Sequence, residues 1–167
     1  MALRYAPASG KMGVFAIVPG PGILNAIAAL AAAAGSNIPI LALTGQTPAY
    51  QIALGLGTPP ELKDQTMALK GLVSWVERAE TPAAAPALLA QAFQSMLRGR
   101  QQPAIFEMAP DILAKTDDVD LPDCLPALER PQPHSDAVDA AARLIGAARN
   151  PAIFVGARFL APGLSWG

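Results

Sequence analysis

Charge, aromatic side chains, cysteine and histidine are all scarce in this sequence. Of 167 residues only 15% are charged, 12 basic against 13 acidic, for a formal net charge of −1. Together with 5% aromatics, this argues against a nucleic-acid surface, which needs clustered Lys and Arg. The single cysteine, Cys124, can close no internal disulfide, so nothing points to an oxidising compartment. The single histidine, His134, lies in Pro133-His134-Ser135-Asp136, just before a helical pattern, and is expected to face solvent. It has no Cys or His at ligand spacing, which argues against zinc, and no G-x-S-x-G elbow accompanies it to make a Ser-His-Asp triad. No metal-ligating set is expected. No apolar run reaches the roughly 18 residues of a membrane-spanning helix. The nearest, Ile23 to Ala34, contains Asn25, stops at Gly35 and reads as a buried helix, so no membrane partner is expected. The opening residues, Met1 to Pro7, lack the apolar core of a secretory signal, and cytoplasm is the expected location.

What the sequence does have is apolar content, 52% of residues, well above the disordered range. Its length suits one domain, or one domain and a piece of another. Met12 to Val18 is a continuous apolar run, as expected of a strand buried on both faces. Pro19-Gly20-Pro21-Gly22 breaks it, and Ile23 to Ala34 follows as an Ala- and Leu-rich helix with Gly35 at its C-cap and Asn37 in the next turn. Ile38 to Leu43 reads as a second buried strand, completing the spacing of a βαβ crossover. Beyond the loop Gly55 to Pro60, the pattern predicts a short helix over Glu61 to Leu69 and a short strand over Val73 to Val76. A helix then runs from Thr81-Pro82 through Leu97, closed by Gly99, and a strand spans Pro103 to Met108. The fold class is therefore α/β, a mostly parallel sheet with helices on both faces. Residues 115–133, with four prolines and five acidic residues, read as a linker. A helix over Asp136 to Ala148, with Val138, Ala141, Ala142 and Ile145 on one face, and a strand over Pro151 to Val155 then begin a second domain that one helix and one strand cannot complete.

Few residues announce chemistry. Pro19-Gly20-Pro21-Gly22 sits between strand and helix, where phosphates often bind, but it is neither G-x-G-x-x-G nor a P-loop. Pro19 and Pro21 carry no backbone N–H, so an anion nest there lacks two donors, and a tight turn approached closely by another group is the better reading. Asn25 either caps the helix end or points into a site. Glu61, Asp64 and Asp111 are the carboxylates nearest strand ends, and helix N-termini favour acidic residues for dipole reasons alone. Glu107 follows Phe106 in a strand and is expected to alternate outward into solvent. Trp75 reads as core or interface packing.

Four segments resemble one family in order and spacing. Tyr5-Ala6-x-x-Ser9-Gly10-Lys11, followed by Gly13-Val14, resembles "G-Y-A-R-x-T-G-K-x-G-V"; Val18-Pro19-Gly20-Pro21-Gly22-x-x-Asn25 resembles the "G-P-G-x-x-N" turn; Pro39 to Gln46 resembles "P-[VL]-x-x-[IL]-T-G-Q". Gly99-Arg100-x-x-Pro103, with Ile105 to Ala109 and Asp111 behind it, resembles "G-R-x-G-P-V-x-[IV]-x-[IML]-P-x-D". On these the chain is similar to the N-terminal, pyrimidine-binding domain of thiamine diphosphate-dependent enzymes of the acetolactate synthase and benzoylformate decarboxylase group. The resemblance covers residues 1–114, and Asp136 to Gly156 resembles the start of the family's central domain.

The resemblance implies a thiamine diphosphate-binding fold, incomplete at its N-terminus, with domains at 1–114 and 134–167 around the linker. It implies thiamine diphosphate as cofactor, with Mg2+ held elsewhere than in this chain, and leaves flavin use open. Pro21 and Asn25 match the family's Pro and Asn near the aminopyrimidine, which favours a site role for Asn25. No catalytic residue is expected: the family's glutamate, in "H-E-x-x-A", would lie upstream of Met1. The chain departs from the family at Leu3, Arg4 and Pro7. It departs again at Pro60, where acetolactate synthases carry a Gln whose amide bonds a proline cannot make; the tail from Arg158 to Gly167 also leaves the family's Gly-rich turn and helix. The implied activity is that of a 2-oxo acid decarboxylase or carboligase, inactive as this chain alone, whose partner is a second copy or a complementary subunit. The alternatives are a non-catalytic interaction subunit pairing with a chain that supplies the diphosphate-binding domain, or a decayed gene product.

Overall fold

The apolar runs become parallel strands. The computed structural model describes residues 1–57, 59–121, 132–152 and 154. Within them β1 (Gly13–Ile17), β2 (Ile40–Thr44), β3 (Trp75–Ala79) and β4 (Ala104–Met108) form one sheet in the spatial order β1-β2-β4-β3. All three pairings are parallel. The helices of the first half are α1 (Ala2–Ser9), α2 (Pro21–Asn25), α3 (Ile27–Ser36) and α4 (Gln65–Lys70). Then come α5 (Ala85–Leu97), α6 (Pro110–Leu113) and α7 (Ser135–Ala147).

Side chains alternate across each strand, so the sheet has two apolar faces. On one, Ala42, Ile105 and Val76 pack with Ile23, Leu30 and Leu69 beneath α2, α3 and α4. On the other, Leu41, Ala104, Phe106 and Ala79 pack with Ala92 and Met96 of α5. Helices thus cover both faces, as the α/β reading predicts. Because β4 and β2 lie inside the sheet, their residues are buried on both sides. At the edge, β1 pairs with β2 alone among the described residues, and Val14 and Val18 are exposed there.

Several boundaries differ from the sequence expectation, each for a local reason. The predicted helix Ile23 to Ala34 is two helices, α2 and α3, meeting at Ala26, whose N–H donates to the carbonyl of Ile23 three residues back. It runs on to Ser36, and Asn37, not Gly35, forms the C-cap with φ 56, the left-handed conformation that asparagine tolerates better than most residues. The predicted strand Val73 to Val76 is displaced to Trp75–Ala79. Val73 instead closes the turn after α4, its N–H donating to Leu69 over 3.3 Å. The helix expected over Glu61 to Leu69 is α4, Gln65–Lys70, capped by Asp64. Thr81 caps as expected, accepting from the Ala84 N–H at 3.3 Å, although the first turn, Pro82–Ala84, is a 3-10 turn before α5. Trp75 is half-buried against α5. His134 is exposed at the N-cap of α7.

The whole of α7 is exposed, including its stripe of Val138, Ala141, Ala142 and Ile145. In the strand expected over Pro151 to Val155, residues Pro151, Ala152 and Phe154 are not in a strand, and Ile153 and Val155 lie outside the described residues. Cys124, most of the 115–133 linker and the tail from Arg158 to Gly167 also lie outside them.

Candidate functional site

The break between β1 and α2 is a type II′ turn. Gly20 has φ 63 and ψ −122, the values of that turn's second position, which glycine alone adopts readily. The Gly22 N–H closes it on the Pro19 carbonyl at 3.3 Å, and Pro21 then opens α2, its ring supplying the φ of a first helical residue. The close approach expected at this glycine is made by the chain itself. A Cβ on Gly20 would lie 2.1 Å from the backbone oxygen of Pro60. The turn's N–H groups are all accounted for: Pro19 and Pro21 have none, Gly22 uses its own in the turn, and Gly20 donates to Gln65 Oε1 over 2.7 Å.

Gln65, the first residue of α4, is 1% exposed. Its Nε2 donates to the Gly45 carbonyl at 3.0 Å and to Glu107 Oε2 at 2.7 Å. Only this orientation of the amide satisfies all three partners. One side chain therefore joins the β1–α2 turn, the end of β2 and the carboxyl end of β4.

Glu107 corrects the sequence expectation. Far from alternating into solvent, it is 0% exposed. The inference of an outward side chain assumes a sheet with one wet face, whereas β4 is interior and α4 covers this face. Across the sheet Ile17, Thr44, Glu107 and Arg78 stand in register, one row beyond the apolar row of Phe15, Ala42, Ile105 and Val76. The core thus turns polar at the carboxyl ends of the strands. Arg78 Nη1 lies 3.3 Å from Glu107 Oε1, supplying the countercharge that a buried carboxylate requires. Gln46 Nε2 donates to the same oxygen at 3.1 Å, and the Thr66 hydroxyl reaches it at 3.5 Å. Beside them Thr44 Oγ1 is buried with no partner among the described residues.

Gln46, Gln65, Thr66 and Arg78 of this network also line a cleft of about 370 Å³, together with Lys63 and Glu80 among others. Neither Pro21 nor Asn25 lines it; both are exposed on α2. The three carboxylates singled out beside strand ends serve local structure. Asp64 caps α4 by accepting from Met67 at 2.8 Å, and Asp111, in the first turn of α6, also accepts from Ala49 at 2.8 Å. Glu61 is in no helix; it accepts from Gly55 and Gly57 at 3.0 and 2.7 Å and so holds their loop. Among the described residues no three His, Cys, Asp or Glu side chains gather as a metal site.

Residues 1–68 match the family model of the thiamine pyrophosphate enzyme N-terminal TPP binding domain. The match contains the Pro19–Gly22 turn, Asn25 and Gln65. Similar proteins extend the likeness over nearly the whole chain. A probable 2-ketoarginine decarboxylase of Pseudomonas aeruginosa is 30% identical over 98% of the chain. A sulfoacetaldehyde acetyltransferase of Rhodobacter capsulatus is 32% identical over 94%, and an acetolactate synthase of Mycobacterium avium 32% over 91%. The chain spans 29%, 26% and 24% of the length of these three relatives. Sequence reasoning found the turn but missed Gln65, Arg78 and the role of Glu107. The available signal was a set of polar residues at the ends of otherwise apolar strands. No helix among the described residues is long and apolar enough to cross a membrane.

Proposed function

We propose that this chain supplies the pyrimidine-binding surface of a thiamine diphosphate-dependent enzyme that decarboxylates or ligates small 2-oxo acids. The observation that carries the reading is the family match over residues 1–68, which contains the turn that presents Pro21 and Asn25 on α2. Asn25 offers a carboxamide donor and acceptor side by side, suited to the amino group and ring nitrogen of an aminopyrimidine. Pro21 offers a flat apolar ring. The same turn does not suit the diphosphate, because its two N–H groups are already bonded within the protein. Diphosphate and Mg2+ are therefore assigned to residues beyond those described, on a further domain or a second subunit. When bound, the cofactor's thiazolium supplies the carbanion chemistry. Residues 134–167 are proposed to open a central domain, which would cover the exposed stripe of α7. Similarity to a decarboxylase, an acetyltransferase and a synthase favours this reading over a non-catalytic subunit.

The test is ligand-observed NMR with thiamine and with thiamine diphosphate. Both are expected to bind with similar affinity, and Asn25→Ala to weaken each about tenfold, the worth of about 1.4 kcal/mol of hydrogen bonding. Absence of thiamine binding, or an Asn25→Ala variant that binds as the wild type does, would overturn the assignment.

A further inference from the structure

We propose that Gln65 is a positioning residue for the Pro19–Gly22 turn, and that Glu107 fixes the orientation of Gln65. This rests on the reading of Pro21 and Asn25 as the cofactor-facing residues and extends it to side chains that touch no ligand. The turn is anchored by long-range contacts rather than by its own short helix. Below it, the Gly20 N–H donates to Gln65 Oε1 across 45 residues of sequence. Beside it, Gly20 lies against the Pro60 carbonyl so closely that no side chain fits between them. α2 has only five residues and no side-chain cap, so its direction follows the turn.

Gln65 can accept from Gly20 only if its Nε2 points the other way, and Glu107 Oε2 and the Gly45 carbonyl are what hold it there. A carboxylate at position 107 is acceptor-only, so it admits one orientation of each neighbouring amide. Gln46 is sorted in the same way: Nε2 donates to Glu107 while Oε1 accepts from the Thr47 N–H at 2.8 Å. Arg78 Nη1, 3.3 Å from Glu107 Oε1, holds the carboxyl group in place. The chain of contacts thus runs from Arg78 on β3, through Glu107 on β4 and Gln65 on α4, to the backbone of the turn carrying Pro21 and Asn25. Gln46, Gln65 and Arg78 also line the 370 Å³ cleft.

An amide–carboxylate exchange tests this directly. Gln65→Glu replaces the Nε2 donor by an oxygen that faces the Glu107 carboxylate and the Gly45 carbonyl, and the repulsion draws the side chain and its acceptor away from the Gly20 N–H; adding Glu107→Gln restores a donor opposite an acceptor, with the polarity reversed and only the Gly45 carbonyl left without its donor. Thiamine affinity is measured on the full 167-residue chain by ligand-observed NMR, at a temperature where circular dichroism shows every variant folded. Gln65→Glu is expected to bind about tenfold more weakly, and the exchange variant to return to within about twofold of the wild type. A merely structural role would lower the unfolding temperature and leave the affinity of the folded protein unchanged, which would overturn the proposal. So would a folded exchange variant that fails to recover. A second readout needs no ligand. The backbone amides of residues 20–25 and the Asn25 side-chain amide are expected to shift in Gln65→Glu and return in the exchange variant. Unmoved resonances overturn the positioning role, whereas missing thiamine binding with the expected shifts overturns only the proposed function. Gln65→Met, which removes the amide without adding charge, replaces Gln65→Glu if that variant does not fold. Failure of both to fold would also count against a local clamp.

Discussion

Replacing Gly20 with alanine separates the geometry of the turn from general tolerance of substitution. Two costs act together at this position. The backbone at φ 63, ψ −122 is strained for any L side chain, by roughly 1–3 kcal/mol. The added Cβ would also lie 2.1 Å from the Pro60 oxygen and 2.9 Å from the Pro60 Cβ. The first obstacle is a backbone carbonyl, so no rotamer change relieves it. Nor can the turn retreat freely, because the Gly20 N–H is tied to Gln65 at 2.7 Å. We expect a loss of about 3 kcal/mol or more, from the strain and the displaced contact together. For a domain of this size that corresponds to an unfolding temperature lower by roughly 6–12 °C. The internal control is Gly35→Ala. Gly35 lies in α3 at an ordinary helical φ, with no atom within 4 Å of the Cβ it would gain. There alanine should stabilise by about 0.5 kcal/mol, by restricting the unfolded chain and improving helix propensity. Thermal and urea unfolding followed by circular dichroism measure both variants. A Gly20→Ala protein melting within about 2 °C of the wild type would refute the account of the turn.

Two further substitutions probe the polar row at the strand ends. Glu107→Ala leaves Gln46, Gln65 and Arg78 without their buried acceptor, and urea unfolding should show a loss of about 3–5 kcal/mol; a loss below about 1 kcal/mol would mean that the network is not holding the sheet end together. Thr44→Val keeps the shape of a side chain whose hydroxyl is buried without a partner. It should stabilise by about 1 kcal/mol in the same assay, and destabilisation would show that the hydroxyl is bonded after all.

The fold was legible where one physical rule acts alone. Continuous apolar runs at Met12 to Val18 and Ile38 to Leu43 mark strands, although only the second is covered on both faces: β1 lies at the sheet edge and leaves Val14, Ala16 and Val18 exposed. Thr81-Pro82 marks the start of the turn that leads into α5 because hydroxyl and proline are specific to helix starts. Legibility failed where tertiary contacts choose between equal local options. Ala26, a strong helix former, gives no signal of the join between α2 and α3; Asn37 outdoes Gly35 as a C-cap although glycine is the commoner choice. The exposed stripe of α7 shows the converse: periodicity predicted the helix well, but amphipathicity says only that a partner surface is needed, and not which one.

The candidate site was half legible for a related reason. A turn is encoded locally, so Pro19-Gly20-Pro21-Gly22 could be read as one, and its lack of free N–H donors followed from two prolines. A buried polar network is encoded non-locally. Gln46, Gln65, Arg78 and Glu107 come from four segments, and none of them departs from ordinary usage in its own surroundings. The error at Glu107 came from applying period-two alternation to an interior strand of a parallel sheet, where the opposite of a core face is another core face. Placing Ile40–Thr44 beside Ala104–Met108 exposes the pattern: Thr44 and Glu107 are aligned at the point where the shared apolar face ends. Arg78 continues the same row on β3. Polar residues at that depth must be paired or be costly, and the carboxyl ends of parallel strands are where such sheets bind ligands. In an α/β sequence, a carboxylate near the end of an apolar run therefore carries two competing readings, a solvated edge or a buried anchor beneath a site. A glutamine and an arginine free to meet it favour the second.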